Sequence, residues 1–279
     1  MENLLAGVQS LLPQHSISRL VGRLARTRLL PVRKLLIHSF VRLYKIDLTE
    51  AEHNDPDAYP SFNALFTRAL RPDARPAPSD PRSIVSPVDG TISQVGEIDS
   101  SLLVQAKDRR FTVAELFGDA SEFPGAYEHG RFVTIYLAPH NYHRIHMPLT
   151  ARLSRMTYIP GRLFSVSPRT TRAVSHLFAR NERVVFHFDS DHGPIALVMV
   201  GAMNVGSIET VHEGVVAPGG KKLRQWTYNP SISFQRSQEL ARFNLGSTAI
   251  VLFSNDGPQL AHHLHPASTI MIGETIARA

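Results

Sequence analysis

The sequence predicts an α+β protein in which a β-rich body follows a short stretch of amphipathic helices. Between residues 1 and 48, apolar residues recur every three or four positions, which is the spacing of one helical face. From residue 83 onward, short β-prone runs alternate with turn residues. Neither an internal repeat nor a shift in composition marks a second globular domain within the body. We therefore expect one helical segment, residues 1–48, and one β-rich body, residues 49–279.

Composition limits the kind of protein this is. The 279 residues are 43% hydrophobic and 19% charged, values typical of a chain that buries a core. The net charge of +6 is small for a nucleic-acid-binding protein, and we expect no nucleic-acid partner. Cysteine is absent, which excludes disulfides and thiolate metal sites. Chemistry must therefore come from serine, histidine, aspartate, lysine or a cofactor made within the chain.

The first 48 residues combine an apolar helical face with a basic one. Only Glu2 opposes the basic residues before Asp47, and Pro13 and Pro31 interrupt the stretch. The apolar positions are Leu4, Leu5, Val8, Leu11, Leu12, Ile17, Leu20, Val21, Leu24, Leu35, Leu36, Phe40, Val41 and Leu43. Such a segment suits the surface of an anionic membrane, although it also fits a helix pair packed on the body. The lack of acidic residues favours the membrane.

Neither a transmembrane helix nor a signal peptide is expected. No run of 18 apolar residues occurs, and the start lacks the early basic region and unbroken apolar core of a secretory signal.

The remaining elements are predicted from local patterns. Residues 53–61 and 71–82 are rich in proline and aspartate and predict loops, and residues 62–70 predict a short helix capped by Ser61. Residues 113–117 predict one or two helical turns. The predicted strands are residues 91–95, 131–137, 183–188, 195–200, 231–234 and 249–253.

Three local patterns could carry chemistry. In Ser86-Pro87-Val88-Asp89-Gly90, proline and glycine indicate a turn, but they could also hold the Asp89 carboxylate at a fixed angle to orient an imidazole. His140, His143 and His146 follow one another at steps of three after an apolar run. They could transfer protons, bind zinc or simply face water, and no HExxH spacing supports zinc.

The third pattern is Leu245-Gly246-Ser247-Thr248, which leads into an apolar strand. Most Gly-Ser pairs are turns. A serine hydroxyl can, however, attack the carbonyl before it if the backbone is strained and a base removes its proton, and glycine leaves that approach open. Asp, His and Ser together are the parts of a nucleophilic triad.

These patterns belong to a wider resemblance. The chain resembles the bacterial, membrane-associated phosphatidylserine decarboxylases over most of its length. The matching segments include residues 65–72 (LFTRALRP), 86–90 (SPVDG), 142–148 (YHRIHMP), 163–166 (LFSV), 177–183 (LFARNER), 200–202 (VGA), 205–210 (VGSIET), 242–243 (RF) and 245–248 (LGST).

The resemblance implies a proenzyme that cuts itself. Asp89, His146 and Ser247 match the family's self-cleavage triad, in which Asp89 orients His146 and His146 deprotonates Ser247. Attack on the Gly246 carbonyl would divide the chain into a β chain, residues 1–246, and an α chain, residues 247–279, which stay together as a heterodimer. Ser247 would become a covalent pyruvoyl group, the family's pyruvate cofactor.

The resemblance also implies the reaction, the fold and the location. The pyruvoyl ketone would form a Schiff base with the amine of phosphatidylserine, His143 would assist decarboxylation and proton transfer, and the product would be phosphatidylethanolamine. No metal is implied. The body would be related to barrel-sandwich hybrid domains, and the enzyme would be peripheral on the cytoplasmic side of the inner membrane.

Three other functions remain open from the residues. One is a pyruvoyl enzyme acting on a soluble amino acid, which would not need residues 1–48 to bind lipid. A second is a zinc hydrolase built on His140, His143 and His146, with His262, His263 and His265 as further ligands. The third is a membrane adaptor without enzymatic activity, which would remain a single chain.

Overall fold

The computed structural model describes residue 9 and residues 12–106, 109–118, 124–203, 207–218, 220–244 and 247–279. Strands dominate it. The α-helices of this part of the chain are α1 (Gln14–Ala25), α2 (Leu30–Tyr44), α3 (Phe62–Phe66), α4 (Val113–Phe117), α5 (Pro168–Ala173) and α6 (Leu177–Arg180), with 3-10 turns at Pro56–Ala58 and Pro124–Tyr127.

Seventeen strands run through the described residues. They are β1 (Ser83–Val85), β2 (Gly90–Glu97), β3 (Leu102–Ala106), β4 (Arg109–Thr112), β5 (Arg131–Leu137), β6 (Arg144–His146), β7 (Ala151–Ile159), β8 (Arg183–Ser190), β9 (Gly193–Gly201), β10 (Ile208–Thr210), β11 (Gly214–Ala217), β12 (Arg224–Phe234), β13 (Glu239–Phe243), β14 (Ser247–Phe253), β15 (Gln259–Leu260), β16 (Thr269–Ile270) and β17 (Thr275–Arg278).

The largest sheet has eight antiparallel strands in the order β12-β7-β8-β9-β14-β5-β2-β16. β14 lies inside it and pairs along its whole length with β9 and β5. All seven of its residues are buried, and the apolar run of residues 249–253 packs on both faces of the sheet. Ala249, Val251 and Phe253 face one core, and Ile250 and Leu252 face the other.

The other sheets cover these two faces. The four-stranded sheet β11-β10-β13-β6 shares the first core, where Ile145, Ile208 and Phe243 pack with residues of the large sheet. The hairpin β3-β4 and helices α4 to α6 cover the second core, to which they contribute residues such as Phe111, Leu116 and Phe178. The strands β1-β17-β15 form a further small sheet. The predicted β-rich α+β class is therefore confirmed, with open sheets.

Most predicted elements are present, and their differences have local causes. The strand predicted over residues 131–137 has those bounds, whereas the one predicted over 231–234 is the end of the longer β12. The helix predicted over 62–70 ends at Phe66, because the chain then turns into a β-bridge between Leu70 and Ala51. Ser61 caps this helix as expected, since its Oγ accepts a hydrogen bond from the Ala64 amide at 3.2 Å.

Helix α1 packs with its small and polar side against the body. Gln14, Ser18, Gly22 and Ala25 are buried, whereas Leu20 and Leu24 are 68% and 49% exposed. α2 buries only Ile37, and its Leu43 is 75% exposed. The predicted helical positions Leu4, Leu5, Val8 and Leu11 lie outside the described residues. No helix of the described part is both long and apolar enough to cross a membrane.

Candidate functional site

Ser247 lies where the chain passes from one sheet to the other. β13 ends at Phe243 in the four-stranded sheet, and Ser247 begins β14 in the eight-stranded sheet. Asn244 anchors the connection: its side-chain amide donates to Ser207 Oγ at 2.7 Å, and its Oδ1 accepts from Asn63 at 3.0 Å. The predicted cleavage partner Gly246 lies outside the described residues, as does Leu245.

The Ser247 hydroxyl is buried and has no hydrogen-bond partner among the described residues. Leaving a buried polar group unpaired costs about 1–3 kcal/mol. Thr248 Oγ1 is also buried and unpartnered there, so burial alone does not single out Ser247. Its position does, because Ser247 is the first residue of a strand held on both sides, by Leu137 and Gly201.

His143 presents a second buried, unpartnered atom. Its Nδ1 lies 2.8 Å from the Asn141 carbonyl oxygen, which can only accept, so Nδ1 carries the proton and Nε2 holds a free lone pair. Among the described residues Nε2 has no partner. The ring packs on Phe66 at 4.0 Å between centroids, and burial lowers the pKa of His143 to about 3. His143 is therefore neutral at physiological pH and can accept a proton at Nε2.

The ladder places His143 and Ser247 in neighbouring segments. The Phe243 amide donates to the His143 carbonyl oxygen at 2.9 Å, while Ser247 pairs with Leu137. Leu137 therefore lies opposite Ser247, and His143 lies opposite Phe243. No hydrogen bond joins the His143 ring to Ser247 in the part of the chain that the structure describes.

His146 is held at both ring nitrogens. Nδ1 donates to the Ser237 carbonyl oxygen at 2.8 Å, so Nε2 accepts from the Tyr142 hydroxyl at 3.0 Å. Burial lowers the pKa of His146, while the bond to Ser237 and the charges of Glu239 and Asp89 act in the opposite direction. His146 lies opposite Glu239, further down the β6–β13 ladder from Ser247 than His143 does.

Asp89 is a fixed, buried carboxylate. It accepts two hydrogen bonds from Arg75, at 2.7 and 3.2 Å, and one from the Ile272 amide at 2.8 Å. Residues 86–90 form the predicted turn and also hold the carboxylate. Within the turn, the Ser86 hydroxyl donates a hydrogen bond to the Val88 carbonyl oxygen. At Gly90 the strands approach so closely that a Cβ would lie 2.5 Å from the Tyr136 carbonyl oxygen.

The structure thus brings some predicted residues together and not others. Asp89 is near enough to His146 for its charge to affect the pKa of His146, and the His146 amide donates to Pro87 in the same turn at 2.9 Å. Within the described residues, neither side chain is hydrogen-bonded to the other or to Ser247. The three-membered triad therefore stays a prediction.

Sequence reasoning missed two residues of this site. Arg75 binds both Asp89 and Glu50, and these carboxylates raise the pKa of Arg75 even though burial opposes them. Tyr142 holds His146, and burial raises the pKa of Tyr142. Tyr142 stood in a matching segment without an assigned role, and nothing in the linear sequence pairs Arg75 with Asp89.

The histidines do not gather as zinc ligands. His140 is exposed and His143 is buried with its Nδ1 bonded to a carbonyl, whereas His262 and His263 line a separate surface cavity. Across the described ranges, no group of three His, Asp or Glu side chains is arranged to hold a metal ion.

The chain is similar to known proteins over nearly its whole length. Residues 62–278 match the family model described as phosphatidylserine decarboxylase, and residues 4–45 match a model described as PSD. The chain is 48% identical to a phosphatidylserine decarboxylase proenzyme of Alkalilimnicola ehrlichii, with 97% of this chain and 96% of the relative covered. It is 47% identical to that of Bordetella pertussis (99% and 94% covered) and 45% identical to that of Shewanella loihica (100% and 99%).

Proposed function

This chain belongs to the phosphatidylserine decarboxylase family, and we propose that it generates its catalytic group by cutting itself between Gly246 and Ser247. The chain is a proenzyme, and the mature enzyme converts phosphatidylserine to phosphatidylethanolamine and carbon dioxide. The observation that carries the proposal is the buried, unpartnered hydroxyl of Ser247 at the first position of an interior strand.

The surroundings of Ser247 fit a pyruvoyl group. A small carbonyl group at this position would be shielded from water, with the free Nε2 of His143 in the adjoining segment. A pyruvoyl group supplies an electron sink for the charge left when carbon dioxide departs. Since Ser247 begins a paired strand, the backbone that would hold this group is fixed by Leu137 and Gly201.

Self-cleavage needs a nucleophile and a base. The Ser247 hydroxyl oxygen attacks the Gly246 carbonyl carbon, the peptide nitrogen becomes the amine of Ser247, and an ester replaces the amide. Elimination then releases the Gly246 carboxylate and leaves dehydroalanine, whose hydrolysis yields the pyruvoyl group and ammonia. We assign the base to His146, because it matches the base of the triad implied by the resemblance and because, unlike His143, it lies near carboxylates whose charge favours its protonated form.

Asp89 supports that base through its charge. Its negative charge favours the protonated form of His146, which is the form made when the serine gives up its proton. Arg75 and the Ile272 amide keep the carboxylate in place. His146 must exchange its bond with Tyr142 to reach a new proton donor.

His143 serves the decarboxylation. It is held neutral by burial, with a lone pair at Nε2 that can take up a proton and deliver it to the carbon that has lost carbon dioxide. Its fixed tautomer supports this role, because the bond to Asn141 leaves only Nε2 available.

The two fragments remain associated after cleavage. Residues 247–279 contribute β14 to the interior of the large sheet, β16 to its edge and β17 to the small sheet. Strand pairing and burial of the apolar residues of β14 hold this α chain to the β chain without a covalent bond.

The exposed leucines of α1 and α2 support peripheral contact with a membrane. Leu20, Leu24, Leu35 and Leu43 are exposed beside basic residues such as Arg19 and Arg23, a pattern that favours an anionic bilayer surface. We place the enzyme on the cytoplasmic side of the inner membrane, where the substrate is part of the bilayer.

A pair of hydroxyl variants tests the proposal. Ser247→Ala should remain a single chain and lack decarboxylase activity. Thr248→Val removes the adjacent buried hydroxyl, which is likewise unpartnered among the described residues, and should still cleave and decarboxylate. Gel electrophoresis and carbon dioxide release measure both outcomes. Cleavage of Ser247→Ala at the same bond would show that Ser247 is not the nucleophile.

A further inference from the structure

A cavity of about 190 Å³ lies between the end of α2 and the loop that precedes His143. Tyr44 and Lys45 line it on the side of α2, and His140, Asn141 and Tyr142 line it on the side of the loop. Arg68, Arg75 and Asp89 contribute to the same cavity. It therefore lies between the end of α2, a helix proposed to contact the membrane, and the part of the site formed by Asp89 and the loop before His143.

Arg68 is the unusual member of this lining. It is only 6% exposed, and its one hydrogen bond among the described residues runs from Nη2 to the His140 carbonyl oxygen at 3.2 Å. Nε and Nη1 are buried and have no partner there. Burial lowers the pKa of Arg68, yet arginine stays protonated in proteins, so the cavity contains a full positive charge.

The acidic residues of the cavity do not neutralise Arg68 by direct contact. Asp89 and Glu50 both bind Arg75, at 2.7 and 2.8 Å. Asp47 accepts a hydrogen bond from the Thr49 amide and lies on the surface. Arg68 therefore has hydrogen-bond donors left for an anion, and the exposed Lys45 lines the same cavity.

The position of the cavity matches the order of groups in a phospholipid. Leu43, one residue before the cavity, is 75% exposed on the proposed membrane side. Phe66, two residues before Arg68, packs on His143. A lipid drawn from the bilayer toward His143 places its phosphate between its acyl chains and its serine, which is where Arg68 and Lys45 lie.

We propose that Arg68, assisted by Lys45, binds the phosphodiester of the phosphatidylserine headgroup. This inference rests on the proposed function. The serine carboxylate is the other anion of the substrate, but a cation bound to it would stabilise the ground state, since its charge moves away as carbon dioxide leaves. A phosphate keeps its charge throughout, and arginine matches its geometry with paired donors. Arg68 therefore governs substrate binding and not the chemical step.

The test compares mature Arg68→Gln with the wild type on short-chain phosphatidylserine. Loss of hydrogen bonds to a charged group should raise KM about tenfold or more, with kcat changed by less than about threefold. Glycerophosphoethanolamine, used as a competitive inhibitor, retains the phosphate and lacks the carboxylate. It should inhibit Arg68→Gln more weakly than the wild type, by the same factor as the rise in KM. Arg110→Gln, which removes an exposed arginine paired with Asp99, should leave both parameters unchanged.

The outcomes separate this inference from the proposed function. Wild-type enzyme that fails to cleave or decarboxylate contradicts the proposed function before any variant is made. If Arg68→Gln cleaves and glycerophosphoethanolamine inhibits it as strongly as it inhibits the wild type, the phosphate site is overturned. The same conclusion holds if glycerophosphoserine alone becomes a weaker inhibitor. If Arg68→Gln does not fold, a crystal structure of wild-type enzyme with glycerophosphoethanolamine decides: phosphate against Arg68 supports the site, and phosphate elsewhere overturns it.

Discussion

At the scale of single residues, the site depends on which nitrogen of each histidine carries the proton. Carbonyl oxygens fix Nδ1 as the donor in both His143 and His146, so both rings present an unprotonated Nε2. The two rings differ in the hydrogen bond at Nε2. The Tyr142 hydroxyl donates to Nε2 of His146, whereas Nε2 of His143 has no partner in the described part of the chain. This difference supports separate roles for the two histidines.

Replacing His143 with glutamine should separate the two reactions. His143→Gln should still cleave, because His146 is assigned to that step, but decarboxylation should slow by about 10²- to 10⁴-fold, the usual contribution of a general acid–base group. Fragment formation on gels and carbon dioxide release measure the two steps independently.

An exposed histidine provides the control. His263→Gln removes a side chain that lines a separate surface cavity, and it should leave both reactions unchanged. Normal decarboxylation by His143→Gln would remove His143 from the mechanism. Loss of activity in His263→Gln would instead support the zinc hydrolase, in which His262, His263 and His265 are further ligands.

The sequence indicates the reactive side chains better than their partners. Asp89, His143, His146 and Ser247 stand in short patterns with chemical meaning. Arg75 and Ser237 do not, because their contacts depend on how distant segments pack. The ring nitrogens of His146 bond to Ser237 and Tyr142, a pairing that no spacing in the chain encodes.

At the scale of elements, α1 shows that helical periodicity alone does not reveal whether an apolar face packs on the protein or on a membrane. Of the apolar positions predicted for this helix, Leu20 and Leu24 are exposed, whereas Ile17 and Val21 are half-buried and Val21 packs toward Phe66. Gln14 accepts a hydrogen bond from the Leu163 amide at 2.8 Å, and His15 lies 2.9 Å from the Gly161 carbonyl oxygen. Polar contacts thus dock the helix, and its leucines stay available for lipid.

Replacing Leu20 and Leu24 with serine should weaken membrane binding. Each leucine transferred from water to the acyl boundary contributes about 1.5–3 kcal/mol, so losing two should reduce vesicle partitioning at least about tenfold. Flotation with vesicles of phosphatidylserine and phosphatidylcholine measures this effect.

Val215→Ser is the matched control for that experiment. Val215 is 57% exposed, but it lies in β11 of the four-stranded sheet. It should leave flotation unchanged. Equal flotation of the double leucine variant and the wild type would contradict a membrane role for α1.

Strand prediction succeeded where packing demands a simple pattern. β14 is buried on both faces, and its residues 249–253 are all apolar, so this part of the strand could be predicted. β7 was missed because exposed or half-buried Arg152 and Arg155 interrupt its buried positions. The strand order could not be predicted, since β14 pairs with β9 and β5 from far earlier in the chain.

At the scale of the whole molecule, buried neutral histidines make folding depend on pH. Burial lowers the pKa of His143 to about 3 and that of His187 to about 4, from an ordinary 6.5. Below pH 6.5 the unfolded chain therefore binds more protons than the folded one. The stability that comes from keeping these histidines neutral is fully present above pH 6.5, and it is lost as the pH falls toward 4.

The free energy of unfolding should fall by about 2 kcal/mol per buried histidine between pH 6.5 and pH 5. Single-chain Ser247→Ala is the suitable protein for denaturant titration, because a cleaved enzyme releases fragments on unfolding. Adding His187→Gln should reduce the dependence on pH. A free energy of unfolding that is the same at both pH values would contradict the neutral, buried state of these histidines.

The most direct test of self-processing is the intact mass of purified, active wild-type enzyme. We predict two polypeptides that meet between Gly246 and Ser247, with the shorter one lighter by one ammonia than a fragment beginning with serine. It should also be labelled when phosphatidylserine and borohydride are added together. A single, unmodified chain that still releases carbon dioxide from the lipid would contradict the account.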